Sequence, residues 1–356
     1  MAKKKKGKKS FFFKVFIAVF LVVVIGGGIW AYDKYKKIYL PNVFLGKKIS
    51  TYVFIPSGSS MPDVTAILYS KGYIINKSSF EWLAEQKNYK NHVHPGRYLI
   101  KTGMNNNQLI DLLRSGKQEP LKLKINSIRT KEQLASRIGS QIEADSLSVI
   151  NVLQNKDFLA AKYNMKPENV LTIFIPNTYE FYWNTSAEEF LDRMAKEYKK
   201  FWTDERKAKA KQIGLTQTEV SVLASIVQAE QSRHNDEKPI IAGLYINRLK
   251  KRMRLESDPT LVFAHGDFSM NRILNIHKEI DSPYNTYRNA GLPPGPINLP
   301  EISSLEAVLN YKKNDYIFMC AKEDFSGYHY FSKSLEQHGI HAKKYRSALN
   351  KRKIMR

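Results

Sequence analysis

Residues 1–32 read MAKKKKGKKSFFFKVFIAVFLVVVIGGGIWAY, and this stretch sets the architecture. Seven lysines and no acid lie in residues 1–14, and Val15–Tyr32 is an uncharged run of 18. A membrane-crossing helix needs about 20 apolar residues. Phe11–Phe13 extend the run, and Lys14 can lift its ammonium to the interface. Trp30, Tyr32 and Tyr35 stand at the far end, where aromatic rings favour the headgroup layer. The spacing predicts a transmembrane helix over 11–32 behind a cytoplasmic basic tail, 1–10. The lysine excess keeps that tail inside and puts everything after about residue 33 outside. A cleaved signal peptide is the rival reading. Its apolar stretch is usually 7–15 residues and ends at an A-x-A site, and this one is longer with no such site.

Working outward, the remaining chain is long enough for two domains. It is 43% hydrophobic and 25% charged, the composition of a packed protein. The formal net charge is +24, or +17 without the seven N-terminal lysines. Such a charge suits an anionic partner: nucleic acid, anionic lipid or an acidic polymer. A position outside the cytoplasm argues against nucleic acid and leaves an acidic wall polymer such as peptidoglycan. A merely soluble surface accounts for the charge equally well. Cys320 is the only cysteine, so no intrachain disulfide forms and the core alone holds the outer part.

Residues 33–48 mix aromatics with lysine and read as a stalk. From there Tyr52–Pro56 reads as a strand, Val64, Ile67 and Leu68 have helical spacing, Ser79–Gln86 is a second helix, His94–Ile100 turns into a strand, and Asn106–Ser115 closes a β-α-α-β-α unit. A weak echo follows: Leu121–Ile125 as strand, Thr130 as cap, Leu134 and Ile138 on the helix after it. Thr172–Tyr179 reads as a strand ending at a proline turn, and Ser186 to about Lys211 as one long helix.

The informative helix follows. Thr216-Gln217-Thr218-Glu219 is a capping box. Val220, Leu223, Ala224, Ile226 and Val227 form an apolar stripe, and Glu230 falls on it, three residues after Val227 and seven after Leu223. Desolvation there raises a carboxyl pKa, which is what a general acid needs near neutrality. The bland alternative is a glutamate that escapes to solvent at the helix end. In the next helix the stripe Ile240, Ile241, Leu244 runs on into Asn247 and Arg248, so two apolar faces end in polar groups. Direct pairing of Arg248 with Glu230 would lower the acid's pKa; the expectation is that Arg248 faces substrate or Asp258. Turn-rich loops follow, with Ser257 and Asp258, then Tyr284, Asn285 and Tyr287, then Gly291–Ile297. Amides, hydroxyls and aromatic faces on rigid loops are how sugars are bound, although structural loops look the same. Tyr316–Ala321 reads as a buried strand in a hairpin with Gly327–Phe331, which places His329 and later His338 as possible substrate contacts. The other histidines lack partners at metal-ligand spacing, and no phosphate loop or nucleophile elbow occurs, so neither metal nor cofactor is expected.

Five ordered motifs carry a family resemblance: Ala224–Glu230 (ASIVQAE), Ile246–Leu249 (INRL), Leu255–Thr260 (LESDPT), Tyr284–Tyr287 (YNTY) and Gly291–Gly295 (GLPPG). In this order they resemble the endolytic murein transglycosylases, the MltG (YceG-like) family, from the anchor to about residue 348. The resemblance implies an α+β protein: a transmembrane helix, a small LysM-like module at 49–118 and a larger mixed α+β catalytic domain at 119–350. It implies cleavage of the MurNAc-β-1,4-GlcNAc bond in nascent peptidoglycan strands with 1,6-anhydro-MurNAc ends, at the plasma membrane and beside cell-wall synthases. The family's catalytic glutamate falls on Glu230. Asn247, Arg248, Ser257, Asp258, Tyr284, Asn285, Tyr287 and His329 are then the expected substrate-binding groups. The chain departs from the family's Val-Glu-Lys-Glu pattern, because Gln228 stands where many members have the first glutamate. That makes a two-acid mechanism less apt. A hydrolytic muramidase using Glu230 with Asp258, or a catalytically silent wall-binding scaffold, remain the alternatives.

Overall fold

The computed structural model describes residues 5–270 and 273–352. The chain divides into two compact units: Met1–Leu121 with Tyr182–Asn184, and Lys122–Phe181 with Thr185–Arg356.

The first unit begins with α1 (Lys5–Tyr39), whose Phe11–Tyr39 portion is long and apolar enough to cross a membrane. Its side chains from Phe11 to Asp33 are exposed. Beyond them the helix becomes part of the globular unit. The Lys34 ammonium lies 4.2 Å from the Trp82 ring centre, Asn106 Nδ2 donates to the Lys37 carbonyl at 2.8 Å, and Ile38 packs on the core. Residues 33–48 therefore differ from the expected stalk. Asn42 and Val43 are buried, and Pro41 and Val43 form bridges with Asn105 and Ile74. The Asn42 amide donates to Asn106 Oδ1 at 2.7 Å and to the Asn76 carbonyl at 3.0 Å, so its burial leaves no polar group unmet.

In the same unit β1 (Ser50–Ile55) pairs antiparallel with β2 (Gly96–Lys101), Val53 opposite Tyr98. Three helices cover this ribbon: α2 (Met61–Ser70), α3 (Lys77–Gln86) and α4 (Asn106–Arg114). Alternate strand residues and one stripe of each helix meet in a core of Val53, Ile55, Leu68, Phe80, Tyr98, Ile100 and Leu109, all fully buried. Each such side chain contributes about 1.5–3 kcal/mol of transfer free energy.

The second unit opens with β3 (Leu121–Ile125), followed by α5 (Lys131–Gly139), α6 (Ser146–Gln154) and α7 (Lys156–Tyr163). Its partner strand is β4 (Asn177–Phe181), not Thr172–Tyr179. Val170–Ile173 instead turns as a 3-10 helix, where the Thr172 hydroxyl donates back to the Asn169 carbonyl at 2.8 Å. The long helix expected from Ser186 is two: α8 (Ala187–Phe201) and α9 (Asp204–Ile213). Thr203 causes the break, since its hydroxyl caps α9 by accepting from Arg206 N, while Trp202 is buried at the bend.

α10 (Gln217–Glu230) follows its capping box, with Glu219 N donating to Thr216 Oγ1 at 3.2 Å and Thr216 N to Glu219 Oε2 at 2.7 Å. It is more than amphipathic: every residue from Val220 to Val227 is buried. α11 (Lys238–Lys250), α12 (Asp258–His265) and α13 (Ile302–Leu309) surround it. β5 (Phe318–Ala321) and β6 (His329–Ser332) pair antiparallel, and α14 (Leu335–Lys351) packs on them. β5 is half-buried rather than a core strand, because α14 buries none of its own residues against it.

Candidate active site

Glu230 ends α10, where the next residue, Gln231, turns extended. Two hydroxyls converge on its Oε1: Tyr245 of α11 donates at 2.7 Å and Ser257, the residue before α12, at 2.6 Å. Ser257 is held in turn. Its N–H donates to Thr286 Oγ1 at 3.0 Å, its carbonyl accepts from Thr260 Oγ1 at 2.7 Å, and the two threonine hydroxyls bond each other at 2.8 Å. Three helices and one loop thus fix a single oxygen. Oε2 has no hydrogen-bond partner among the described residues.

Burial pushes the Glu230 carboxyl above the ordinary glutamate value. The Ser257 and Tyr245 donors pull it back, the Asp258 charge raises it, and His329 lowers it. Burial, then the charge on Glu230, hold the Tyr245 phenol well above its ordinary value, so it remains a donor. With Oε1 accepting two hydrogen bonds, the proton of the neutral acid belongs on Oε2. The arrangement presents one oriented proton.

Asp258 stands next to Ser257, and Tyr287 donates to its Oδ1 at 2.6 Å. Tyr284 packs on Phe263, ring centres 4.7 Å apart, and burial pushes its phenol up to about 12. Ser257, Asp258 and Tyr287 therefore gather around the α12 N-terminus beside Glu230, while Tyr284 packs further along α12. Asn285 is in the same loop but fully buried. Its Nδ2 donates to the carbonyls of Lys278 and Ile280 at 2.9 and 2.8 Å, and its Oδ1 accepts from Tyr287 N, so it shapes the loop.

Three expected sugar contacts are spent elsewhere. Asn247 Nδ2 donates to the carbonyls of Asn314 and Tyr316 at 2.8 and 3.0 Å, pinning the segment before β5. Arg248 faces neither substrate space nor Asp258. Its Nε donates to the Ile317 carbonyl at 2.6 Å, and its Nη1 to the carbonyls of Arg254 and Leu255 and to Glu256 Oε2 at 3.1 Å. The guanidinium is buried and organises the chain between α11 and α12; it makes no direct pair with Glu230. His329 Nδ1 contacts Glu237 Oε2 at 2.9 Å, and the same carboxylate oxygen accepts from Gln231 Nε2 at 2.7 Å. His329 reaches Glu230 through its field and not by contact.

Tyr245, Thr286 and the Glu237–Gln231 pair were not singled out from the sequence. For Tyr245 the signal was present: it lies four residues after Ile241, on the stripe that carries Leu244 and Arg248. Gln228, at the departing position, accepts from Lys238 Nζ at 3.3 Å and from Ser304 Oγ. Lys238 is wholly buried, and burial lowers its pKa. Among the described residues no group of three or more His, Cys, Asp or Glu side chains could hold a metal ion.

A cleft of about 1150 Å³ opens alongside. Gln228, Ala229, Ser232 and Asp258, the chain neighbours of Glu230 and Ser257, form part of its wall, with Phe263, Phe268 and Asn298. The Glu230 carboxyl is beside this wall and not in it, drawn aside by Tyr245 and Ser257.

Comparison with known proteins bears on this site. The model of the YceG-like family matches residues 53–344. A protein named endolytic murein transglycosylase from Bacillus subtilis is 30% identical over 345 residues, 93% of this chain and 93% of its own. One of the same name from Streptococcus pneumoniae is also 30% identical over 92% of this chain, which spans 64% of that protein's length. A crystal structure of a putative YceG-like protein from Listeria monocytogenes superposes with a TM-score of 0.55 at 32% identity, covering 83% of this chain and 99% of its own.

Proposed function

The chain belongs to the YceG-like family, and on that footing we propose that it is an endolytic murein transglycosylase with Glu230 as its single acid and base. The observation that carries this reading is the Glu230 carboxyl itself: desolvated, pinned through Oε1 by two hydroxyls, and free at Oε2.

The reaction then runs on one carboxyl. Neutral Glu230 gives the proton on Oε2 to the glycosidic oxygen as that bond breaks, and positive charge develops at C1 of the muramic acid. The carboxylate so formed is stabilised by Tyr245 and Ser257, whose hydroxyls already point at it. It takes the proton of the same sugar's C6 hydroxyl, whose oxygen bonds to C1 and closes the 1,6-anhydro ring. Atoms balance without water, and the acid is restored. Attack from within the same sugar is favoured because the nucleophile is held near C1 from the start. Asp258 and Tyr287 bound the site as a fixed polar pair, and Tyr284 with Phe263 offers an aromatic edge for a sugar ring.

The helix α1 fits a single-pass anchor with its basic end in the cytoplasm and the chain beyond it outside the plasma membrane. The β1–α2–α3–β2 arrangement fits a LysM-like module that holds glycan. Nascent strands are the substrate that an anchored enzyme meets first, which puts it beside the cell-wall synthases.

The test is Glu230→Gln in the full chain, solubilised in detergent and given un-crosslinked glycan strands. Loss of a general acid removes roughly 10²–10⁴-fold of the rate. A variant that cleaves within tenfold of the parent would exclude Glu230 as the acid.

A further inference from the structure

The cleft beside Glu230 holds two guanidinium groups that no carboxylate of the described residues engages. Arg129, in the loop after β3, has its guanidinium carbon 4.8 Å from the Phe268 ring centre, and both residues line the cleft. Arg346 projects from α14, with its Nε donating to the Ala342 carbonyl at 3.3 Å. Beside it in the wall stand Phe325 and Tyr345, ring centres 6.0 Å apart. Neither of the wall's own acids makes an ion pair with these two arginines. Asp258 is held by the Tyr287 hydroxyl, and Glu301, at the start of α13, acts on buried Lys238. Other arginines of this unit do find acids: Arg193 pairs with Glu197, Arg206 with Glu306 and Arg248 with Glu256.

A neutral amino-sugar chain gives these two groups nothing to bind. A carboxylate does, because the guanidinium fork takes both its oxygens at once. Stacking on Phe268 orders Arg129 before the ligand arrives. We propose that Arg129 and Arg346 form a carboxylate-reading subsite, so that the chain selects glycan whose muramyl units carry free carboxylates over uncharged amino-sugar polymer. The proposal rests on the transglycosylase reading for the identity of the glycan. The carboxylate belongs to a stem peptide, or to the lactyl group of a muramyl unit that carries no stem, and both present the same chemistry.

The test is binding and not turnover, so it stands apart from the reaction. The full chain carrying Glu230→Gln, in detergent at low salt, is titrated with un-crosslinked strands bearing stem peptides, and with the same strands after their carboxylates are converted to amides. The expected result is about tenfold tighter binding of the carboxylate form, and loss of that preference when Arg129→Gln and Arg346→Gln are added. Each single variant repeats the measurement with one arginine, in case the double variant folds poorly. Strands stripped of peptide expose the lactyl carboxylate that the amide bond to the stem otherwise blocks: a preference for these over their amides shows that the subsite also takes the lactyl group, and its absence confines the subsite to stem carboxylates. Equal binding of both forms by the parent, or a preference that survives removal of both arginines, overturns the subsite. Either result leaves the cleavage reading standing, while absence of cleavage by the unmodified chain with the preference intact would strike the reaction alone.

Discussion

At Glu230 burial and hydrogen bonding pull in opposite directions, and burial is the larger effect. The acid must be protonated for the first step, so activity falls as pH rises through its raised pKa. Tyr245 donates to the carboxylate and so favours the charged form. Tyr245→Phe removes that donor. The pKa of Glu230 then rises further, and the alkaline limb of the pH–rate profile moves to higher pH. The same change leaves the developing carboxylate with one donor fewer, at a cost of about 1.5–3 kcal/mol for a hydrogen bond to a charged group, or roughly ten- to a hundredfold in kcat. A pH–rate series on both proteins checks this; an alkaline limb that stays still or moves down would show that Tyr245 does not act on the acid. Spacing singled out Glu230, at three- and seven-residue intervals along an apolar stripe, but that helix alone fitted a glutamate escaping to solvent as well; the polar ending of the next stripe and the family motif tilted the reading. The partners of Asn247, Arg248 and Asn285 were not legible. Polar residues at the end of an apolar face look alike whether they meet a ligand or, as here, backbone carbonyls of a distant loop.

At the scale of elements, α10 and α11 hold the site because their neighbours come very close. Gly243 sits in α11 where an added Cβ would collide with the Lys312 carbonyl and the Asn314 side chain. Asn314 belongs to the segment that Asn247 anchors, so the glycine lets that segment lie against the helix. Gly243→Ala is expected to destabilise by about 1–3 kcal/mol, the range for overpacking, despite alanine's better helix propensity. Thermal unfolding measures it, and an unchanged or higher Tm would mean that the contact relaxes freely. Helix starts were the most readable elements. Thr130 and Thr216 cap where they were expected to, and the helix expected from Ser186 starts there, with the Ser186 hydroxyl accepting from Glu189 N. Thr203 was passed over because the charged run 204–211 continues the helical pattern across it. β4 was misplaced by a few residues, since an apolar run such as Thr172–Ile175 fits a strand or a tight turn equally well and Pro176 is compatible with both.

At the scale of the molecule, α1 is about 52 Å long at 1.5 Å per residue, against a hydrocarbon core of about 30 Å. The surplus is not a tether. Lys34, Lys37 and Ile38 use it to pack on Trp82, Asn106 and the core of the first unit. A chain beginning near residue 32 is therefore expected to keep the thermal stability of the first unit, whereas one beginning at Leu40 loses the Asn106 bond and the Ile38 packing, together about 1–3 kcal/mol. Comparing the two unfolding midpoints checks this, and equal midpoints would return residues 33–39 to the role of a simple stalk. The apolar run announced the crossing, but the docking beyond it was hidden. Its partners lie about 45 to 70 residues downstream, and lysines beside a membrane read as interface residues whatever they touch.

The central claim is that one carboxyl cleaves the strand without water. The most direct test is digestion of un-crosslinked glycan strands by the full chain in water labelled with heavy oxygen, followed by mass spectrometry of the new ends. The account predicts internal fragments ending in 1,6-anhydro-muramic acid, one water lighter than a reducing end and free of label. Reducing ends that carry the heavy oxygen would contradict it, and would make Glu230 with Asp258 a hydrolytic pair.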